Sequence, residues 1–267
     1  MFTDIKQKVE GVFSGKEAEK LTEGLSHFDR WSAFDQYRLG GSYCSARMRE
    51  YGLEDVEVMQ IPADGETKFG DWTMPMAWDV DDAWLEIVEP KGKARLLANY
   101  RQEPATLHMW SFPTPPEGVE TEVVLLEDAG DDAAYEGIDV TGKIVFANKM
   151  GGARGTALRH GAIGIITDSP GREDDLLAEG VRWTNTATDY HGWGYIKRDT
   201  PSFGFSLTRE KGEYLRNLLS SGQTVKVKAT IKSWLYEGSF PLTTGVIRGE
   251  TDEEVLVYGH AQEYGAS

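Results

Sequence analysis

The sequence predicts an α/β protein whose sheet is interrupted by a β-rich insertion of α+β character. Helical periodicity opens the chain and leads into one strand before residue 62, and short strands broken by turns follow from residue 71 to about 126. Residues 139–168 then return to strand, helix, strand.

In order, Phe2, Ile5, Val9, Val12 and Phe13 fall at helical spacing. Ser14-Gly-Lys-Glu17 is a capping-box pattern, and Ala18, Leu21, Leu25 and Phe28 continue a second helix on one face. Residues 42–51 predict a third helix, ended by Gly52 in the left-handed conformation. Val56 to Ile61 is a strand that Pro62 helps stop. Short strands are expected at Trp72–Met76, Ala83–Val88, Ala94–Ala98, Leu107–Phe112 and Val119–Leu126, with residues 113–118 as a rigid Pro-rich connector. Trp72, Trp78, Trp84 and Trp110 are expected chiefly as core anchors, with ligand stacking as the alternative.

Asp139 to Asn148 and Gly161 to Thr167 frame a short helix through His160, whose place at the helix end suits a capping cation. Gly151-Gly-Ala-Arg-Gly155 has neither of the glycine spacings of nucleotide-phosphate loops. Residues 173–200 form a polar, aromatic loop with Trp183, Tyr190, His191, Trp193 and Tyr195 crowded together. Such a loop is either a flap packed on its own rings or a surface facing a substrate or partner. Pro201–Leu207 returns as a strand, and Thr208–Leu219 is a helix burying Tyr214, Leu215, Leu218 and Leu219. Val225, Val227, Ala229 and Ile231 alternate with Lys226, Lys228, Thr230 and Lys232, which is a half-exposed strand. Leu242–Ile247 and Val255–Val257 are expected as a two-strand entry into a further sheet, the second strand buried and delivering His260 to its carboxyl end. That edge is where ligands gather in open α/β sheets.

The expected boundaries are 1–70 for the first helices and strand, 71–238 for the insertion, and 239–267 for the start of a new sheet. Composition fits a folded core: 40% of the 267 residues are hydrophobic, 11% are aromatic and eight are Trp. The net charge of −16 repels phosphate backbones, which argues against nucleic-acid and anionic-membrane partners. No apolar run approaches a membrane span. The amino terminus shows no basic region followed by an apolar one, and a single cysteine, Cys44, allows no internal disulfide. A cytoplasmic setting is the expectation, and Cys44 is expected as a packed residue rather than a nucleophile.

Two blocks resemble a known family. Asp139-Val-Thr-Gly-Lys-Ile-Val with His160-Gly-Ala-Ile-Gly-Ile-Ile resembles the protease-associated domain, and the strand, helix and Val-Lys-Val-Lys strand after Pro201 look like its closing elements. Thr243-Thr-Gly-Val-Ile-Arg-Gly followed by Glu254-Val-Leu-Val-Tyr-Gly-His260 is similar to the opening of the catalytic domain in the zinc metallopeptidases of aminopeptidase Y and glutamate carboxypeptidase, metallopeptidase family 28.

The resemblance implies an incomplete zinc-exopeptidase α/β sheet, an inserted protease-associated domain over 71–238, and a catalytic domain beginning at 239–267. It implies two zinc ions, a peptide substrate, and His260 as the first metal ligand. Paired zinc ions polarise a scissile carbonyl and generate hydroxide near neutral pH. Where the family usually has a supporting Asp two residues on, this chain has Gln262, and Glu263 is the neighbouring candidate for support. Trp183, Tyr190, His191 and Trp193 are candidates for gating access. The metal-bridging Asp that would follow Ser267 lies outside the sequence, so residues 1–267 alone are expected to be inactive and no catalytic residue is assigned within them. The rival expectation is a non-catalytic relative that uses the protease-associated domain for protein contacts. Assembly as a homo-oligomer is left open.

Overall fold

The structure, a computed structural model, describes residues 2–28, 34–148, 152–168, 180–181, 183–188 and 194–261. It is a mixed α/β fold, in agreement with the sequence. The helices are α1 (Phe2–Val12), α2 (Gly15–Ser26), α3 (Phe34–Glu50), α4 (Ala153–Arg159) and α5 (Arg209–Ser220). The strands are β1 (Glu54–Ala63), β2 (Lys68–Phe69), β3 (Trp72–Thr73), β4 (Ala77–Glu89), β5 (Arg95–Asn99), β6 (Val119–Leu126), β7 (Ile144–Ala147), β8 (Gly164–Thr167), β9 (Phe203–Ser206), β10 (Lys226–Tyr236) and β11 (Gly238–Val246). The chain divides into two compact units, one of Met1–Arg30, Asp35–Met59 and Pro241–Ser267, the other of Trp31–Phe34 and Gln60–Phe240.

In the smaller unit Ser14 caps α2 as its motif predicts, its Oγ accepting from the Glu17 amide at 3.3 Å. Helix α3 begins at Phe34, before the predicted residue 42. Gly41 lets α3 approach its neighbour: a Cβ there would lie 2.8 Å from Pro241 Cβ. Gly52 follows α3 with φ of 80°, the left-handed cap expected. Tyr51 donates to Glu17 at 3.0 Å, and the rings of Phe28 and Tyr43 meet at 5.7 Å. Helix α2 nevertheless has no buried residue, and Ile5, Val9, Val12 and Phe13 of the first helical stretch are all exposed.

Cys44 is half-buried, and burial pushes its thiol above the ordinary value. Less thiolate means slower attack on electrophiles. Iodoacetamide at pH 7.5 is therefore expected to label Cys44 several-fold more slowly than an unfolded peptide carrying it, by mass spectrometry. Equal rates would remove the packed assignment.

The larger unit is built on a seven-stranded mixed sheet of order β5-β4-β10-β6-β7-β8-β9. One half is antiparallel, with β10 paired along β4 from Lys226 opposite Glu89 to Tyr236 opposite Ala77. Val227, Ala229 and Ile231 are buried there, as their alternation predicts. The lysines between them face outward, but two have partners: Lys226 pairs with Glu89 at 3.2 Å and Lys232 lies over the Trp84 ring at 5.6 Å.

The other half, β6-β7-β8-β9, is parallel. Strands β7, β8 and β9 are buried at every residue, the burial expected of parallel strands covered on both faces. Their sequences Ile-Val-Phe-Ala, Gly-Ile-Ile-Thr and Phe-Gly-Phe-Ser accordingly show no polar alternation. Helix α4 connects β7 to β8 and closes at Gly161, φ 89°. Helix α5 follows β9, capped by Thr208, and turns Gly212, Leu215 and Leu218 inward. Tyr214 and Leu219, expected inside, are half-buried.

Two strand expectations fail. Leu107–Phe112, expected as a strand, forms among the described residues only two isolated bridges, Leu107 to Phe205 and Met109 to Asn185, because the backbone turns at Trp110 with φ of 63°. Val255–Val257 is neither strand nor buried, with exposures of 91%, 83% and 89%. An apolar triplet becomes a strand only when a neighbour supplies its ladder, and among the described residues none does. Of the tryptophans, Trp78 and Trp110 are core anchors as expected, Trp84 is half-buried, and Trp72 is 40% exposed on the β2–β3 hairpin. None of the described helices is long and apolar enough to cross a membrane.

Candidate functional site

His260 lies in the smaller unit, in an exposed stretch without helix or strand. Gln262 and Glu263, its expected companions, fall outside the described residues. Among the described residues no three His, Cys, Asp or Glu side chains come together in a way that could hold a metal ion.

In the larger unit Tyr190, His191 and Trp193 also lie outside the described residues, while Trp183 is half-buried. What can be described is how the loop's two ends are held. On one side, Met109 N donates to Thr184 O at 3.0 Å, Thr186 N to Met109 O at 2.9 Å, and Thr186 Oγ1 to Trp110 O at 2.9 Å. On the other, Gly194 passes so close to Trp110 that a Cβ would lie 2.6 Å from its ring, and Met76 N donates to Tyr195 O at 2.8 Å. Asp199 joins the two ends, accepting from Thr188 Oγ1 at 2.8 Å and from Ile196 N at 3.1 Å. Lys197, bridging Glu237 and Glu66, has its ammonium pushed up to about 12 by those two hydrogen bonds.

Beside this anchor is a polar centre that spacing along the chain does not announce. His108, on the turn before Trp110, is fully buried, and so is Arg154 in the first turn of α4. An Arg154 Nη2 hydrogen meets His108 Nδ1, and His108 Nε2 lies 3.1 Å from Ser206 Oγ. With Nδ1 accepting, the ring proton is on Nε2 and points at the serine. Arg154 Nη1 donates to Ser202 Oγ at 3.1 Å and to Phe203 O at 3.2 Å, while its Nε has no partner among the described residues. Ser111 Oγ donates to His108 O at 2.7 Å and accepts from Gly204 N at 3.1 Å.

Among the described residues no carboxylate contacts either cation-forming group. Burial pushes the Arg154 guanidinium down to about 9, still charged at neutral pH, and burial followed by the Arg154 charge holds His108 well below the usual imidazole range. The pairing of Ser206 with His108 is not a nucleophile–base pair, since it is sealed from solvent and a cation sits where an orienting carboxylate would stand.

His160, expected as a capping cation, has its ring on other partners: it stacks on Tyr135 at 4.2 Å and pairs with Asp132 at 2.9 Å. The hydrogen bond from His160 keeps the Asp132 carboxyl below its ordinary value, and burial pushes the Tyr135 phenol up to about 12.

No protein-family model matches this sequence. No curated protein matches it either. Solved structures do. A peptidase M28 precursor from Shewanella amazonensis SB2B superposes with a TM-score of 0.58 at 15% identity, over 84% of this chain and 48% of its own. BSAP, a zinc aminopeptidase from Bacillus subtilis, does so with a TM-score of 0.56 at 14% identity, over 88% of this chain and 46% of its own. The chain thus spans just under half the length of these proteins. Identities this low speak to architecture alone, and by architecture the chain has an M28-peptidase-like fold.

Proposed function

We propose that this chain is the amino-terminal portion of a zinc-dependent, aminopeptidase-like hydrolase. In this reading residues 71–238 are an inserted protease-associated domain that gates access of a peptide substrate. Residues 1–70 and 239–267 belong to the peptidase domain, and His260 supplies one ligand to a two-zinc site. The observation that carries the reading is the fold likeness to an M28 peptidase precursor over 84% of this chain. The Gly-Lys-Ile-Val and Gly-Ala-Ile-Gly blocks, which lead into β7 and β8, and the Val-Tyr-Gly-His260 block support it independently.

The described residues do not by themselves make a zinc site, since His260 is not joined there by two further ligands. No catalytic step is therefore derived. What this chain contributes is one imidazole and, in the gating role, a loop anchored at both ends on the Trp110 turn, Met76 and Asp199. The strong negative charge disfavours nucleic-acid partners.

Zinc content and aminoacyl-p-nitroanilide hydrolysis test the proposal. Residues 1–267 alone are expected to bind no zinc pair and to show no turnover. The full-length protein is expected to carry zinc, and His260→Ala to lose zinc and hydrolysis together. Turnover by residues 1–267 with stoichiometric zinc, or an unaltered His260→Ala protein, would sink the assignment. Gln262, standing where the family usually has Asp, favours a second reading in which the fold is kept for protein contacts without metal. A full-length protein that holds no zinc at equilibrium would select it.

A further inference from the structure

We propose that the hydrogen bond between Arg154 and His108 is an acid-released latch: protonation of the imidazole detaches the 108–111 turn from β9 and α4 and frees the 184–186 segment that this turn holds. The inference rests on the fold and not on the peptidase reading.

Its geometry is a chain of dependent contacts. The turn carries segment 184–186 through Met109 and Trp110, by the three hydrogen bonds given above. The turn is in its own right held to the sheet at His108, whose amide donates to Gly204 O at 3.0 Å and whose ring joins Arg154 to Ser206. Around the ring, α4 presents Arg154 and β9 presents Ser206 Oγ with the Gly204 and Phe205 backbone. Arg154 is thus the one charged group in contact with it among the described residues.

Only a neutral imidazole can fill the place, because its Nδ1 lone pair accepts from the guanidinium. A proton there removes the acceptor and sets two cations against each other where no carboxylate compensates. Space offers no relief on the side of β9: a Cβ on Gly204 would already lie 2.7 Å from Arg154 Nη2, so neither side chain can move toward that strand to escape the other.

The sign follows from linkage. In the closed state His108 is held well below its ordinary value, and in the open state it titrates near about 6.5. Above about pH 6.5 opening is independent of pH. Below it, each unit of acidification favours the open state by about tenfold until the closed state also takes up the proton.

Amide hydrogen exchange, corrected for intrinsic rates, reads the opening directly. Between pH 6.5 and 5 the Met109 and Thr186 amides are expected to lose about tenfold of protection per pH unit, while the Ala229 amide at the centre of β10 stays constant. In His108→Gln a side-chain amide oxygen can accept from Arg154 and cannot titrate, so that slope is expected to vanish. Flat protection of Met109 and Thr186 in the parent protein, or an unchanged slope in His108→Gln, overturns the latch. Should the variant not fold, the His108 ring resonances of the parent protein decide. A ring still neutral and in place when the two amides have lost protection overturns the proposal, and loss that tracks its protonation supports it.

Discussion

Trp110→Ala is expected to lower the stability of the larger unit by about 3–5 kcal/mol, the range for truncating a large buried aromatic. For a unit of this size that corresponds to a melting temperature lower by about 10 °C. Trp110 is 0% exposed, and its indole Nε1 donates to Met76 O at 2.7 Å. The void would open where Gly194 lies against the ring, at a point neither glycine nor alanine can refill. Alanine also inherits the backbone at φ 63°, which an L residue adopts at a cost of about 1–2 kcal/mol. Trp110→Gly should therefore be no worse than Trp110→Ala, against the usual order of these two residues. The loss should be concentrated in the contacts that the ring organises, so protection of the Thr186 amide is expected to fall further than global stability does. Urea unfolding measures the first quantity and hydrogen exchange the second. A loss under about 1 kcal/mol would mean that the ring does not close this part of the core.

The same residue shows where sequence reading succeeds and where it runs out. Helices α1, α2 and α5 are legible because periodicity and caps are local: Ser14 binds the amide three residues on as its motif predicts, and Thr208, read as the first helical residue, does the same for α5. The parallel strands were legible as short continuous apolar runs, and β10 through the alternation of Val227, Ala229 and Ile231 with lysines. That alternation stopped the prediction at Lys232, whereas β10 continues through Ser233, Trp234, Leu235 and Tyr236 because β4 continues beside it. The stretch at 107–112 misleads for the converse reason. Its largely apolar run before a Pro-rich connector reads as a strand, but one left-handed residue breaks it and no spacing rule foresees a tryptophan in that conformation.

The polar centre is harder still. His108, Arg154, Ser202 and Ser206 come from a turn, a helix and a strand up to 98 positions apart, so no motif joins them before the sheet order is known. The expected metal ligand has the opposite difficulty: Val-Tyr-Gly-His260 is a motif, but it awaits strand and ligand partners that the described residues do not supply.

Gly212→Ala is the second large effect, and its sign opposes the usual preference. Alanine gains about 1 kcal/mol over glycine inside an exposed helix. At Gly212 the new methyl would run into the Asp168 side chain, whose Cβ is the nearest atom and whose Cγ lies at 2.6 Å. Asp168 cannot yield cheaply. It stands buried at the end of β8, where Arg216 Nη2 holds its two oxygens at 2.9 and 2.8 Å. The same guanidinium reaches Glu127 at 2.9 Å and covers the Phe146 ring at 4.8 Å.

Displacing the carboxylate leaves the partly buried Arg216 with its more exposed partner alone, so the net cost is expected to be about 2 kcal/mol, below the about 3–5 of a fully buried pair. The cause can be separated from mere crowding by a double-mutant cycle. In Asp168→Gly, itself destabilised at least as much, the Cβ as well as the carboxylate is gone, and Gly212→Ala should become neutral or stabilising. The coupling between the two substitutions is thus expected at about 2 kcal/mol, within the range for residues in direct contact. Additive losses in urea unfolding would show that the helix is held off the sheet by something other than this carboxylate. Coupled losses would identify the close approach of Gly212 to Asp168 as the contact that seats α5 on the parallel strands.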